Sequence, residues 1–472
     1  MKRQILSKYT LAISDFISFS LSFILSLVLL NYSIERFDAY LPLDQVRERM
    51  IIHLSLGFIG VIWFWIRLRH YTYRKPFWFE LKEVIRTLII LAIIELATIA
   101  FSKLYFSRYL WGLTWGVTFF FVPIVRILTK KILIDTGLYI KNTVIIGGGN
   151  NAIDAYKALT SESYLGLKVK YFIALNPSEK LKELSIPIIN EERKGIWQLV
   201  TNKSDQFIIA LEEDEIEERD KWLRFFSKNY YRSISVIPTL RGLPLYSTDM
   251  SFLFSYEMIL LRVNNNLAKR SSRILKRIMD ILGSLLLIIL LLPLLILIYW
   301  LVRKDGGYAI YGHPRIGQNG KKFNCLKFRS MVVNADEVLE KLLESDPIAK
   351  VEWEKDFKLR NDPRITSIGK WLRRTSLDEL PQLFNVLAGQ MSLVGPRPII
   401  SDELEYYQED VDYYLMAKPG MTGLWQVSGR NNVDYKTRVY FDAWYVKNWS
   451  LWNDIAILFK TINVLRSREG AY

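Results

Sequence analysis

Five long apolar runs decide what this chain of 472 residues can fold into. Four lie in the first third, at roughly 9–30, 50–69, 83–102 and 109–129, and a fifth extends from Ile281 to Val302. Each is about 20 residues, the length that carries an α-helix through the ~30 Å hydrocarbon core of a bilayer. Half of all residues are hydrophobic, yet 24% are charged. That split points to a membrane-embedded part joined to soluble parts, not to one globular domain.

The short loops orient the first four runs. Lys2, Arg3 and Lys8 precede the first; Arg67, Arg69, Arg74, Lys75 and Lys82 follow the second; Lys130, Lys131 and Lys141 follow the fourth. The loop at 31–49 has no basic excess, with three arginines against four acids, and the loop at 102–108 carries only Lys103 and Arg108. The positive-inside rule therefore predicts a four-helix transmembrane bundle over residues 1–135 with both ends in the cytoplasm. Glu95, inside the third run, is either a functional intramembrane acid or a residue paired within the bundle. A cleavable signal peptide is not expected, since the first run is too long and has no small-residue cleavage site.

The fifth run is flanked by Lys269, Arg270, Arg273, Lys276 and Arg277 on one side and by Arg303, Lys304, Arg315, Lys321 and Lys322 on the other. A spanning helix would put one of these clusters outside, against the charge bias. Pro293 removes a helix hydrogen bond in mid-run. The expected structure is a re-entrant helix, about 274–303, kinked at Pro293 and returning to the cytoplasmic side. A bent span is the alternative.

Between these membrane segments the texture is that of an α/β domain, expected over 136–265. Thr143–Ile146 reads as a buried strand, followed by Gly147-x-Gly149-x-x-Ala152 and a helical run, with further strands at 169–175, 206–210 and 233–236. The glycine spacing matches a dinucleotide loop. Such a loop also requires an acid ending the second strand, and Asn176 stands there. A Rossmann-like domain without cofactor is the expectation. The competing reading, a nucleotide-sugar oxidoreductase or dehydratase, has only Tyr414-x-x-x-Lys418 further in its favour, and that match runs into Pro419.

The net charge of +15 attracts anions. The basic residues flank apolar stretches and no nucleic-acid module appears, so the expected partners are membrane lipids and phosphorylated substrates, with no nucleic acid. Cys325 is the single cysteine and the histidines are His53, His70 and His313, which excludes a disulfide framework and a multi-histidine metal site.

Residues 303–472 are rich in turn signals and in clusters suited to phosphate chemistry. Lys327 and Arg329 alternate, so a strand would present both on one face. Arg364 lies in a turn with Asp362, and Arg397 is held between Pro396 and Pro398. Lys418–Trp425 leads to Arg430. Ser376-x-x-Glu379 has the spacing of a capping box, which accounts for Glu379 as an ordinary first-turn acid. It accounts less well for Asp378, which stands among Arg364, Arg373, Arg374 and Arg397 in the sequence. Such a carboxylate is expected to stay ionised, as a nucleophile or as a ligand for Mg²⁺ brought by a diphosphate.

The stretches Lys327-Phe-Arg329, Asp362-Pro-Arg-Ile-Thr366, Ser376-Leu-Asp-Glu-Leu-Pro-Gln382, Met391–Pro398 and Pro419–Trp425 resemble the bacterial sugar transferases, the polyprenyl-phosphate hexose-1-phosphate transferases. The similarity extends to four N-terminal helices, a Rossmann-like middle domain and a re-entrant helix before an α-rich cytoplasmic catalytic domain at 266–472. It implies a bacterial inner-membrane enzyme that moves a hexose 1-phosphate from a UDP-sugar to undecaprenyl phosphate for O-antigen or other surface polysaccharide. UDP-galactose is the implied donor, with UDP-glucose as the alternative, and a non-catalytic assembly platform is the remote one. The acidic dyad maps onto Asp378 and Glu379, with Asp378 attacking the β-phosphorus. Lys327, Arg329, Arg364, Pro396, Arg397, Pro398 and Arg430 are the expected substrate residues. Asp378, with Glu379 and Asp442 in support, is the expected Mg²⁺ ligand set, and a homodimer is implied. The family often has Ser-Pro at the re-entrant kink, where this chain has Leu292-Pro293.

Overall fold

A computed structural model describes residues 2–33, 42–174, 176–190, 205–231, 233–239, 248–253, 258–263, 266–304, 306–346, 350, 359, 362–428 and 434–467. The chain forms two compact units, 1–240 and 241–472.

In the first unit the four apolar runs become α1 (Lys2–Ser33), α2 (Val46–Ile66), α3 (Phe77–Phe101) and α4 (Arg108–Asp135). The first three are long and apolar enough to cross a membrane. The fourth has the length, 28 residues, but its Arg108, Arg126, Lys130 and Lys131 make it less apolar. Small residues let the helices close up. A Cβ on Gly57 would lie 2.9 Å from the Phe19 Cβ, and one on Gly60 would lie 2.9 Å from Leu91. Leucines, isoleucines and phenylalanines such as Ile24, Phe58, Ile93 and Phe120 point outward and exposed, as lipid-facing positions do.

Two clusters of polar groups are paired inside this bundle, while Arg49 Nε and Nη1 and Thr114 Oγ1 have no hydrogen-bond partner among the described residues. The Glu95 carboxylate is 3.1 Å from His53 Nδ1, accepts the Trp115 indole N–H at 2.9 Å and faces Arg49 at 3.6 Å. Glu95 is thus a residue paired within the bundle. In a second cluster the Arg126 guanidinium donates to Asp15 and Glu80 and lies 4.4 Å over the Phe64 ring, while Lys130 donates to Glu80 and the Tyr71 hydroxyl to Asp15.

Beyond α4 comes the expected α/β fold, a parallel sheet in the order β3-β2-β1-β4-β5. Its strands are β1 (Lys141–Ile146), β2 (Leu167–Ala174), β3 (Ile188–Asn190), β4 (Gln206–Ile209) and β5 (Ile234–Val236). The glycine loop between β1 and α5 (Asn150–Ser161) is filled by the protein itself. A Cβ on Gly147 would sit 2.3 Å from the Ala210 carbonyl oxygen, and one on Gly149 would sit 2.2 Å from Glu212 Oε1. That same Glu212 oxygen accepts the Asn151 N–H at 2.7 Å. A carboxylate of this chain therefore occupies the helix N-terminus where a dinucleotide loop would place its diphosphate.

The second unit is built around the fifth run, α6 (Arg270–Arg303), a continuous 34-residue helix with Pro293 inside it. Lys276, Asp280 and Ser284 in its first half, and Leu295, Ile298 and Val302 in its second, form one buried stripe. Between and around them Leu282, Leu286, Ile289, Leu290 and Trp300 are exposed. The first half is hooked by polar groups. Lys276 Nζ donates to Asp454 at 2.7 Å and to the Val394 carbonyl at 3.0 Å, and Asp280 accepts from Ser392 Oγ and Leu393 N–H. The second half packs its apolar side on Ala309, Phe328 and Leu372.

Replacing Asp15 by Asn should leave the buried Arg126 charge short of its partner and cost about 3–5 kcal/mol. Thermal unfolding of the protein in detergent would register this as a clear fall in midpoint. An unchanged midpoint would mean that the ion pair does not hold the bundle.

Candidate active site

The site is assembled from a hairpin, a one-turn corner and a clasped loop. The hairpin pairs β6 (Ile310–Ile316) with β7 (Lys322–Phe328), antiparallel, through a turn in which Asn319 and Gly320 both have positive φ, 57° and 74°. Arg315 lies opposite Phe323. Arg315, Phe323, Cys325 and Lys327 therefore share a face.

The corner begins with α7 (Ser367–Thr375). Thr366 caps it by accepting the Gly369 N–H at 2.9 Å, and Gly369 is packed so closely that a Cβ would meet the Ser330 carbonyl oxygen at 1.9 Å. The helix ends where Ser376 enters the left-handed region at φ 56°, and a single 3₁₀ turn follows, Leu377–Glu379. Ser376 is therefore a helix C-cap whose side chain makes no capping bond, and the capping-box expectation is corrected. Leu377 and Leu380 both pack against one apolar cluster, and Leu380 also packs against a second. The residues between them, Asp378 and Glu379, remain half-buried.

The two acids have different surroundings. Glu379 Oε1 accepts from Lys327 Nζ at 2.7 Å. Burial, with the Glu379 charge beside it, pushes the Asp378 carboxyl up to about 6, against the pull of Lys327 and Arg373. The expectation that surrounding arginines keep Asp378 fully ionised is thus revised, because desolvation outweighs them here. Two of the arginines that looked near it in sequence have their own hydrogen-bond partners. Arg364 forms a two-pronged pair with Asp362 at 2.8 and 2.7 Å. Arg373 donates to Ser330 Oγ at 2.9 Å.

The loop Gly395–Pro398 follows a short strand, β8 (Ser392–Val394), paired in parallel with β9 (Gly420–Thr422). It is clasped by Gly395 N–H to the Thr422 carbonyl at 2.9 Å and Gly420 N–H to the Pro396 carbonyl at 2.8 Å. Arg397 lies 5.7 Å from the Trp425 ring centre.

One cavity of about 60 Å³ joins these parts, lined among others by Arg315, Lys327, Glu379, Gln382, Arg397, Pro398 and Gln426. Of the residues named from the sequence it brings together Lys327, Glu379, Arg397 and Pro398, while Asp378 and Pro396 are not on its lining. It adds Arg315, Gln382 and Gln426, which the sequence reading missed. Asn319-Gly320 between two alternating runs signals a hairpin, but a two-residue turn would set Arg315 opposite Asn324; the longer loop, which pairs Ile316 with Lys322, is what puts Arg315 on the Lys327 face. Arg329 does not share that face. It stands beyond the end of β7 and its guanidinium donates to the Tyr308, Met331 and Val302 carbonyls. Asp442 is fully buried and accepts the Tyr407 hydroxyl at 2.8 Å; burial raises its carboxyl to about 7 against the pull of Tyr407 and Arg397. It does not line the cavity. Arg430 lies outside the described residues.

Among the described residues no three histidine, cysteine, aspartate or glutamate side chains converge as a metal site. Asp378 and Glu379 supply two adjacent carboxylates. That donor set fits Mg²⁺, which takes one or two carboxylates and completes its octahedron with phosphate and water oxygens.

A helical membrane protein with a carboxylate pair set among cations beside a membrane helix is the setting of lipid-directed sugar-phosphate transfer. Residues 271–468 match the family model described as Bacterial sugar transferase, and the chain belongs to that family. Along 99% of its length it is 57% identical to the undecaprenyl-phosphate galactose phosphotransferase of Salmonella typhimurium, of which 98% is covered. It is 54% identical to the UDP-galactose-lipid carrier transferase of Erwinia amylovora, again over 99% of this chain and 98% of that one. A Haemophilus influenzae protein described as an uncharacterized sugar transferase is 65% identical over the full length of both.

The acid limb of sugar transfer should fall near pH 6, since protonation below that value removes the Asp378 carboxylate. Glu379→Gln deletes the negative neighbour that disfavours ionisation, so the limb should move to lower pH; Lys327→Met should move it higher. A pH profile whose limb ignores both changes would separate the limb from Asp378.

Proposed function

We propose that the chain transfers galactose 1-phosphate from UDP-galactose to undecaprenyl phosphate, releasing UMP, as the first membrane step of a surface polysaccharide. The observation that carries this reading is the Asp378–Glu379 turn, set beside Lys327 and next to a cavity shared with Arg315 and Arg397. The names of the two full-length relatives support galactose as the sugar.

In this mechanism a carboxylate oxygen of Asp378 attacks the sugar-bearing β-phosphorus. The bond from that phosphorus to the bridging oxygen breaks and UMP departs, leaving galactose phosphate on Asp378. An oxygen of undecaprenyl phosphate then attacks the same phosphorus, the aspartyl–phosphate bond breaks, and undecaprenyl diphosphate galactose is formed. A carboxyl raised to about 6 is mostly ionised at neutral pH and more basic than an ordinary aspartate, both of which favour attack. Lys327 fixes Glu379 beside it, and Arg315 and Arg397 offer positive charge to the diphosphate. Bound at Asp378 and Glu379, Mg²⁺ would supply further neutralisation of that diphosphate.

The catalytic domain is placed on the cytoplasmic face, where α6 enters the bilayer and returns. Two observations support this. Basic clusters flank both ends of the helix. Lys276 and Val302 are roughly 39 Å apart along a helix rising 1.5 Å per residue, yet both are buried against the same unit. A helix that crossed would carry one of these contacts to the other side of the membrane. A homodimer in the bacterial inner membrane completes the proposal.

Asp378→Asn, or EDTA with the wild type, should abolish UMP release from UDP-galactose and undecaprenyl phosphate. Among UDP-sugars galactose should be preferred over glucose. Normal release after either treatment would defeat the mechanism, and a preference for UDP-glucose would redirect the substrate. Single-cysteine labelling in a Cys325→Ser background tests the topology: sites in 303–330 that react only from the periplasm would exclude the re-entrant helix.

A further inference from the structure

Beside Glu379 the cavity contains an acceptor that the described residues leave unused. Gln426 lies on α8 (Leu424–Ser428), the short helix after β9. Its side chain lines the same cavity as Lys327, Glu379 and Arg397, and its Oε1 is sealed from solvent with no hydrogen-bond partner among the described residues. The position is held on both sides. A Cβ on Gly423 would come within 2.5 Å of the Gly395 carbonyl oxygen, and Trp425 is buried beneath the Arg397 and Arg438 guanidinium groups.

A buried acceptor without a donor forfeits the solvation it had in water, and folded proteins keep few of them. Of the three cations on the cavity, Lys327 donates to Glu379, Arg315 faces Glu403 at 3.6 Å and Arg397 lies 5.7 Å from the Trp425 ring centre; none of them bonds Oε1. Neither the phosphates of the reaction nor an ionised carboxylate can satisfy Oε1, because both only accept. What a nucleotide sugar does bring is a small set of donors, the imide N–H of uracil and the hydroxyls of ribose and hexose. About 60 Å³ admits one such group, not a whole nucleotide.

We propose that Gln426 is a donor-recognition residue, its Oε1 accepting a hydrogen bond from an N–H or O–H of the bound nucleotide sugar. This rests on the reading of the site as one for a UDP-sugar. It sets Gln426 apart from the phosphate-binding cations, since the contact tells one nucleotide sugar from another and does not act on the reacting phosphorus.

The test is binding of UDP-galactose to full-length protein in lipid nanodiscs carrying Asp378→Asn, so that no turnover intervenes. Gln426→Met, which keeps the side-chain length and removes the acceptor, should weaken binding about tenfold. Gln426→Glu, which keeps an acceptor, should stay within about threefold of Gln426. A Met variant with undiminished affinity would mean that water satisfies Oε1, and the proposal would fall. A Glu variant weaker than the Met variant would mean that the carboxamide turns its N–H₂ toward the diphosphate, which overturns it equally. Two analogue sets identify the source of the donor: UDP-galactose methylated at uracil N3, and UDP-sugars lacking single hydroxyls. The analogue missing the true donor should bind Gln426 protein weakly and the Met variant no worse than UDP-galactose does. If every analogue loses affinity equally in both proteins, Gln426 contacts none of those groups. Wild-type UMP release, run alongside, reports separately on the proposed reaction.

Discussion

Lys276 and Asp280 are one helical turn apart on α6, and through them the membrane helix holds the active-site loop. Lys276 is bonded at once to Asp454 and to the Val394 carbonyl, and Asp280 takes the Leu393 N–H and the Ser392 hydroxyl. Val394 is the last residue before Gly395, so the strand that ends in the Arg397 loop is fastened on one side to a helix made for lipid. Removing either partner of the buried Lys276–Asp454 pair would leave a charge without compensation, a cost that an apolar contact at this junction would not carry. The arrangement suits a reaction with one soluble and one lipid substrate, because it fixes the cationic loop relative to the bilayer.

The turn proposed to react is held by different means. No regular helix presents Asp378. It sits in a single 3₁₀ turn between two leucines, after a serine forced into the left-handed region. Leu377 and Leu380 anchor that turn to one apolar cluster, Leu380 also reaching a second, and Lys327 ties down Glu379 from the neighbouring strand. Burial, with the Glu379 charge beside it, raises the Asp378 carboxyl, while Lys327 engages Glu379. The division of labour between two adjacent carboxylates comes from their partners, not from their chemistry.

Much of this was legible from residue order alone, and the omissions have physical causes. The apolar runs located the long helices because length and hydropathy decide membrane insertion. The glycine loop and Asn176 pointed to a Rossmann-like sheet without the acid a dinucleotide requires; that Glu212 fills the loop depends on a contact across 61 residues, which no local pattern encodes. Ser376-x-x-Glu379 misled because a capping box and a 3₁₀ corner share spacing, and only tertiary packing of Leu377 and Leu380 decides between them. Arg329 and Arg364 looked like substrate ligands because charge is visible in a sequence and the carbonyls and carboxylate that engage it are not. Gln426 was overlooked for the opposite reason: a neutral amide beside a tryptophan carries no signal until its burial is known.

The account depends on Asp378 forming a covalent bond to phosphorus. The direct measurement is mass spectrometry of full-length protein mixed with UDP-galactose without lipid acceptor, quenched in acid and digested. The peptide holding Asp378 should gain the mass of a galactose phosphate, lose it on addition of undecaprenyl phosphate before the quench, and never gain it in Asp378→Asn. Full turnover by a protein whose Asp378 peptide stays unmodified at every quench time would contradict the covalent route.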